Sequence, residues 1–217
     1  MRTLELFSGS KTFSGLAKEL GCVTLTVDKF IDSDLQIGIE SLTREMIVEK
    51  LGGEPDAIWA SPVCSAWSKT GWYHHWDTVF YSRTKRFKPA SQFAIESVEM
   101  VRKTIEIFSW FPDAVFWMEN PEGMLQRHPV INNFIRYNIP VQRHYVTYCQ
   151  YGDSVMKPTH IWTNSTTWKP RKPCSNGSSC HMPSPRGSMK GMYSKGDSFE
   201  RSKIPTELCK EVLTTIQ

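Results

Sequence analysis

The chain has 217 residues, of which 40% are hydrophobic and 13 are glycine, enough apolar side chain for one compact core with at most a small appendage. It holds no run of about eighteen apolar residues, and MRTLELFSGSKTF at its start has neither a long apolar stretch nor a small-residue cleavage site. A membrane span and a secretory leader are therefore not expected, and an intracellular protein is. The net charge of +4 is mild but uneven, because YSRTKRFK (81–88) and WKPRKP (168–173) interleave basic and aromatic side chains as polyanion-binding surfaces do. Solvated loops have the same composition. Six cysteines, Cys22, Cys64, Cys149, Cys174, Cys180 and Cys209, are scattered along the chain, which suits free thiols in a reducing compartment better than a disulfide framework.

In chain order, TLELFS followed by FSGLAKELG reads as strand, turn and helix, with Gly21 as the stop. VTLTVDKF is a second strand ending in an acid, and REMIVEKLGG is a helix with a glycine stop. DAIWASP is a third or fourth strand, SQFAIESVEMVRKTIEIFSWF a long amphipathic helix, and AVFWMENP a further strand. Strands separated by helices predict a mostly parallel sheet covered on both faces. QRHYVTYCQYG and KPTHIWTN then read as adjacent strands, an antiparallel hairpin at the sheet edge. Residues 165–200 are rich in Ser, Pro, Gly and Lys without periodicity and predict a small irregular lobe, after which RSKIPTELCKEVLTTI resumes helical spacing.

In an open α/β sheet ligands bind beyond the carboxyl ends of the strands, so the residues that follow each strand matter most. Phe7-Ser8-Gly9-Ser10 is a strand-to-helix turn where glycine admits a ligand close to backbone, although many such turns are purely steric. Asp28, at the end of the next strand, has the placement of a ribose-binding acid; a helix cap is the plainer alternative. Cys64 in SPVCS sits among loop residues, where a polar, electropositive setting would favour a nucleophilic thiolate. Glu119 ends the apolar strand FWMEN, a position that suits a proton donor. A thiol and an acid at neighbouring strand ends fit addition to an electron-poor ring, sulfur attacking carbon while the acid protonates an adjacent nitrogen.

Three stretches, in order and spacing, resemble the cytosine carbon-5 methyltransferases. ELFSGSKTFSGLA is similar to their opening D-L-F-S-G-x-G-G, SPVCSAWS to their G-P-P-C-Q-x-F-S nucleophile loop, and MENPEGML to their E-N-V strand, while RSKIPTELCKEVL resembles their terminal helix. The resemblance implies a Rossmann-like fold that binds S-adenosylmethionine through Phe7, Ser8, Gly9, Ser10, Asp28, Glu40, Ser61 and Pro62. Cys64 would attack carbon 6 of cytosine and Glu119 would contact N3, with Ser65, Asn120, Lys157 and Thr159 around the base. The base would be flipped out of double-stranded DNA, and residues 69–88, with Trp72, Tyr73, His74, His75 and Trp76, would either wedge the duplex or form a small aromatic core.

The sequence also departs from the family. Lys11 replaces a glycine, Val63 the second proline and Ser65 the glutamine, and VMKPT stands for Q-x-R-x-R, placing Lys157 and Thr159 where the arginines would be. Residues 1–164 are read as the catalytic domain, 165–200 as a short target-recognition lobe and 201–217 as a helix returning to that domain. So short a lobe implies a short or relaxed target, with affinity carried by phosphate contacts from Arg83, Lys85, Arg86, Lys88, Lys169, Arg171 and Lys172. Compact members of this kind are familiar among viruses and phages, which would place the protein in the host cytoplasm or nucleus, and a monomer is expected. Cys174, Cys180 and His181 lie close together, but no fourth ligand is evident and no metal is assigned. Two other readings stay open: a non-catalytic nucleic-acid-binding or regulatory homologue, and the same chemistry on RNA or a free cytidine nucleotide.

Overall fold

The computed structural model describes residues 1–69, 71–77, 88–182 and 197–216. Its sheet begins with β1 (Arg2–Leu6), whose side chains are buried on both faces from Thr3 onward, as a central parallel strand requires. Next come α1 (Thr12–Glu19), β2 (Val23–Val27), α2 (Arg44–Leu51) and β3 (Ala57–Ala60). α3 (Trp72–His75) is followed by a two-residue ribbon, β4 (Trp76–Asp77) paired with β5 (Lys88–Pro89). The chain continues through α4 (Gln92–Ser109), β6 (Val115–Pro121), α5 (Asn133–Arg136), β7 (Gln142–Thr147), β8 (Pro158–Thr163), α6 (Ser198–Ser202) and α7 (Thr206–Thr214). The main sheet runs β2-β1-β3-β6-β8-β7, with β1, β2, β3 and β6 parallel and β8 antiparallel to both neighbours. This is the expected doubly covered sheet with an antiparallel edge. Only β1 and β2 precede β3 in it, so SPVCS follows the third strand, not a fourth.

Alternation along β3 and β6 divides the core. Ile58, Ala60, Phe116 and Met118 belong to a cluster with Val101, Ile105 and Phe108 of α4, while Ala57, Trp59 and Trp117 pack with Phe13 and Ala17 of α1 and Leu208, Val212 and Leu213 of α7. Phe116 stacks between Phe108 and Phe134 at centroid distances of 4.2 and 5.7 Å. The helices start where the sequence supplies caps: Thr43 Oγ1 accepts from Met46 N–H at 3.3 Å and Ser91 Oγ from Ala94 N–H at 3.1 Å. α1 is different, since Lys11 offers no cap and the buried carboxylate of Glu5 accepts the Ser14 N–H at 2.9 Å instead. No helix of the described residues is long and apolar enough to cross a membrane.

The segment after β8 is stitched to the body. Trp168 is buried and its Nε1 donates to Glu211 of α7 at 3.0 Å, while Arg171 donates to Glu211 Oε2 at 2.8 Å and to the Gln150 carbonyl at 2.8 Å. Arg171 also lies over the Tyr151 ring. Read from sequence as a phosphate contact, it is committed to holding this segment in place. Arg83, Lys85 and Arg86 lie outside the described residues.

Candidate active site

The carboxyl ends of β1, β2, β3 and β6 open into a cavity of about 1820 Å³. Phe7, Ser8, Gly9, Ser10, Asp28, Glu40, Ser61, Pro62, Cys64, Ser65, Glu119 and Lys157 all line it. Of the residues assigned to donor or base, Asn120 and Thr159 are not on this lining, and both are fully buried.

At one end, the turn after β1 is wound tightly, with Phe7, Gly9 and Lys11 at φ of 57°, 41° and 55°. Left-handed geometry at Phe7 and Lys11 costs about 1–2 kcal/mol each, strain of the kind that collects at ligand sites. It is held by Ser8 N–H to the Val27 carbonyl at 3.2 Å and Gly9 N–H to Asp28 Oδ2 at 3.2 Å. Asp28 Oδ1 also accepts from Phe30 N–H at 2.9 Å and Ile31 N–H at 3.0 Å. Asp28 thus ties the β1 turn to the loop after β2. Among the described residues, three of its roughly four acceptor positions are filled. Ser8 Oγ is buried with no protein partner, an orphaned donor beside this turn. Glu40 stands at the rim in an ion pair with Lys29 at 3.5 Å. Among the lining residues that sequence reasoning missed are Glu5, which lies within a strand, and Phe30, which is 79% exposed.

At the other end, the close of β6 and the residues after it clamp the loop after β3. Asn120 Nδ2 donates to the Pro62 carbonyl at 2.9 Å, Met124 N–H to the Trp67 carbonyl at 2.8 Å, and Lys69 pairs with Glu122 at 2.8 Å. Gly123 is required here, since a Cβ on it would overlap the Trp67 carbonyl. Cys64 is therefore gripped on both sides. Behind it, Trp76 is buried with Nε1 donating to the Ala66 carbonyl at 2.7 Å, and the rings of Trp67, Trp76 and His128 pack at tilted and edge-on angles. Trp76 thus belongs to the main core, with Trp72 packed against it, whereas Tyr73 is exposed; residues 78–87 of the same stretch lie outside the described residues.

Glu119 is buried at the cavity floor, and its Oε1 accepts from the Tyr148 hydroxyl at 2.8 Å and faces Lys157 Nζ at 3.6 Å. Lys157 is itself buried, its ammonium 4.6 Å from the centre of the Tyr148 ring. Sequence reasoning found Lys157 through its motif but not Tyr148, whose role depends on strand pairing. Burial pushes the Cys64 thiol up from its usual range, Lys157 pulls it down, and Glu119 pushes it up again. A loop expected to favour the thiolate thus has the opposite net influence, because desolvation outweighs the one cation.

The cluster of potential ligands near Cys174 also gains a member. Cys149, just after β7, brings a fourth potential ligand atom to Cys174, Cys180 and His181, a partner that no local spacing announced.

No family model matches the chain. A curated relative, the Probable DNA (cytosine-5)-methyltransferase of Frog virus 3 (isolate Goorha), is 27% identical over 184 residues, covering 83% of this chain and 78% of the relative. Among solved structures, a DNA modification methyltransferase encoded within an E. coli prophage superposes with a TM-score of 0.56 at 14% identity, covering 81% of this chain and 52% of that one. The Entamoeba histolytica methyltransferase EhMeth superposes with 0.53 at 11% identity, covering 85% and 57%. The chain thus spans just over half the length of these two solved proteins. The chain is therefore similar in sequence to a viral DNA (cytosine-5)-methyltransferase and shares its fold with solved methyltransferases.

Proposed function

We propose that this chain methylates carbon 5 of cytosine in DNA, with S-adenosylmethionine as donor and the target base swung out of the duplex into the cavity. The observation that carries the reading is the placement of Cys64 and Glu119 on one cavity whose far end is the Gly9–Asp28 turn. The residues at that turn suit the donor: Ser8 Oγ lacks a partner, Asp28 keeps an acceptor position for a ribose hydroxyl, and Gly9 leaves backbone bare. When bound, the donor supplies an electrophilic methyl group. Cys64, on losing its proton, forms a bond from sulfur to carbon 6, which moves electron density to carbon 5. Glu119, held by Tyr148 and Lys157, stabilises the pyrimidine at N3 as charge develops there. After methyl transfer the carbon 5 proton is lost, the bond from sulfur to carbon 6 breaks, and Cys64 is regenerated. Asn120 takes part by fixing the loop through Pro62.

Duplex DNA, single-stranded DNA, RNA and cytidine nucleotides incubated side by side with methyl-labelled donor test this directly. Label is expected on duplex DNA, as 5-methylcytosine after nucleoside analysis. With 5-fluorocytosine in the duplex, carbon 5 has no proton to lose, so a complex resistant to denaturation should accumulate and should disappear in Cys64→Ser. An adduct that survives Cys64→Ser removes Cys64 from the role, and label confined to RNA or nucleotide changes the substrate.

A further inference from the structure

Away from the cavity, the Sγ atoms of Cys149, Cys174 and Cys180 and a ring nitrogen of His181 all lie within 4.8 Å of one another. Cys174 Sγ is 3.3 Å from Cys180 Sγ and 3.4 Å from His181 Nδ1, and Cys180 Sγ is 3.5 Å from the same nitrogen. We infer that these four side chains form a structural zinc site that fastens residues 174–181 to the β7–β8 hairpin.

Three arguments support the assignment. The first is geometric. A tetrahedral zinc ion with bonds of about 2.3 Å to sulfur and about 2.0 Å to nitrogen holds neighbouring ligand atoms roughly 3.5–3.8 Å apart, close to the spacings observed. A disulfide requires about 2.05 Å, so no pair of these sulfurs is bonded, and three thiols converging on an imidazole satisfy a metal better than they satisfy one another. The second is the donor set, since three thiolates and one imidazole with no open carboxylate or water position suit a closed structural zinc centre. Gln150 Nε2, which donates to Cys180 Sγ at 3.3 Å, supplies the supporting hydrogen bond that a metal-bound thiolate accepts.

The third argument is mechanical. None of the described residues 169–182 belongs to either hydrophobic cluster, so this loop has no core of its own. Its backbone is attached by isolated hydrogen bonds, Cys174 N–H to Thr147 Oγ1 at 2.9 Å and Met182 N–H to the Ser154 carbonyl at 2.9 Å. Segments this short and apolar-poor are commonly held by a metal or a disulfide. Cys149 comes from the 3₁₀ turn Tyr148–Tyr151, whose first residue donates to Glu119. The metal therefore ties the loop to the turn that holds the catalytic carboxylate. On binding, the three thiols release their protons to solvent.

The test uses the full chain, purified under reducing conditions, dialysed, and assayed for metal by mass spectrometry, then loaded with cobalt(II) in place of zinc. About one zinc per chain is expected, with a cobalt spectrum showing the intense visible bands of a tetrahedral ion and sulfur-to-metal charge transfer of the strength given by three thiolates. Cys149→Ser and Cys180→Ser should each lose metal or bind it much more weakly, while Cys22→Ser, outside the cluster, should keep the full complement. The cobalt spectrum of the unaltered chain reads the ligand set even where a variant fails to fold. Zinc well below one per chain with no cobalt–thiolate spectrum would overturn the proposal, as would full metal retention in Cys149→Ser.

Discussion

The parallel strands and the β7–β8 hairpin build one cavity in different ways. Each parallel strand delivers its contribution just past its own end: Gly9 after β1, Asp28 after β2 and Cys64 after β3, with Glu119 near the end of β6. The hairpin delivers Lys157 and Tyr148 by pairing. β8 runs against β6, so its amino end lies where the parallel strands have their carboxyl ends, and β7 brings its carboxyl end to the same edge. Tyr148 N–H donates to the Lys157 carbonyl at 3.2 Å, closing the pair beside Glu119. The groups proposed to react and to hold the donor therefore sit on the parallel half, while Tyr148 and Lys157, which contact Glu119, come from the antiparallel half.

The largest effect should come from the parallel half. Glu119→Gln preserves shape and can still hydrogen-bond, but it removes the carboxyl group proposed to act at N3. Turnover is expected to fall by about a hundredfold to a thousandfold while donor affinity, measured by titration calorimetry, stays nearly constant. A matching loss of donor affinity would show that Glu119 holds the two ends of the cavity together instead of acting on the base.

Next in size is a stability effect within the parallel half. Burial raises the Glu5 carboxyl from 4.5 to about 7, against the opposing hydrogen bonds from α1, and burial lowers His128 from 6.5 to about 4. Glu5 is neutral in the fold where the unfolded chain is charged, so it removes stability as pH rises from about 4.5 to 7. His128 must be kept neutral, so it removes stability as pH falls from about 6.5 to 4. The slopes oppose each other and nearly cancel in the overlap. Glu5→Gln should therefore raise stability by up to about 3 kcal/mol at about pH 8 and leave it little changed at about pH 4, and the variant's stability should climb with pH between them. Urea unfolding at the two pH values and midway between them checks this. A variant no more stable than the parent at about pH 8 would mean that Glu5 is ionised in the fold, and a variant whose stability stayed flat would mean that His128 is not held neutral.

What the sequence made legible follows the same division. Gly9, Asp28, Cys64 and Glu119 each stand in a short string whose chemistry is local, so strand ends and motif spacing sufficed to find them. Asn120 was found too, but as a base contact; its tie to Pro62 exists only because β6 lies beside β3. Glu5 looked like an inward strand residue because its partner, Ser14, is a full turn and helix start away. Tyr148 and Cys149 were invisible because their partners are 29 residues back and 25 residues on, joined by hairpin register and loop docking. Arg171 carried the right charge for a phosphate contact, yet Glu211 of α7 claims it.

The smallest effect tests whether the antiparallel half tunes the nucleophile. Burial has already raised the Cys64 thiol, and Lys157 is the cation that opposes the rise. Because the thiolate is the reacting form, kcat/KM for methyl transfer should increase with pH through the neutral and mildly alkaline range. In Lys157→Met the opposing charge is gone, so the thiol should titrate higher and the whole profile should move toward alkaline pH. At about pH 7.5 the loss should be about tenfold, because a thiol largely protonated there loses thiolate in proportion as it holds its proton more tightly, and raising the pH should recover much of it. Tyr148→Phe separates this from an indirect effect through Glu119: it removes the donor to the carboxylate but leaves Lys157, so it should lower the rate without moving the profile. If Lys157→Met instead lowers the rate equally at every pH, Lys157 acts on the base or on Glu119, and the hairpin shapes the pocket without setting the nucleophile's protonation.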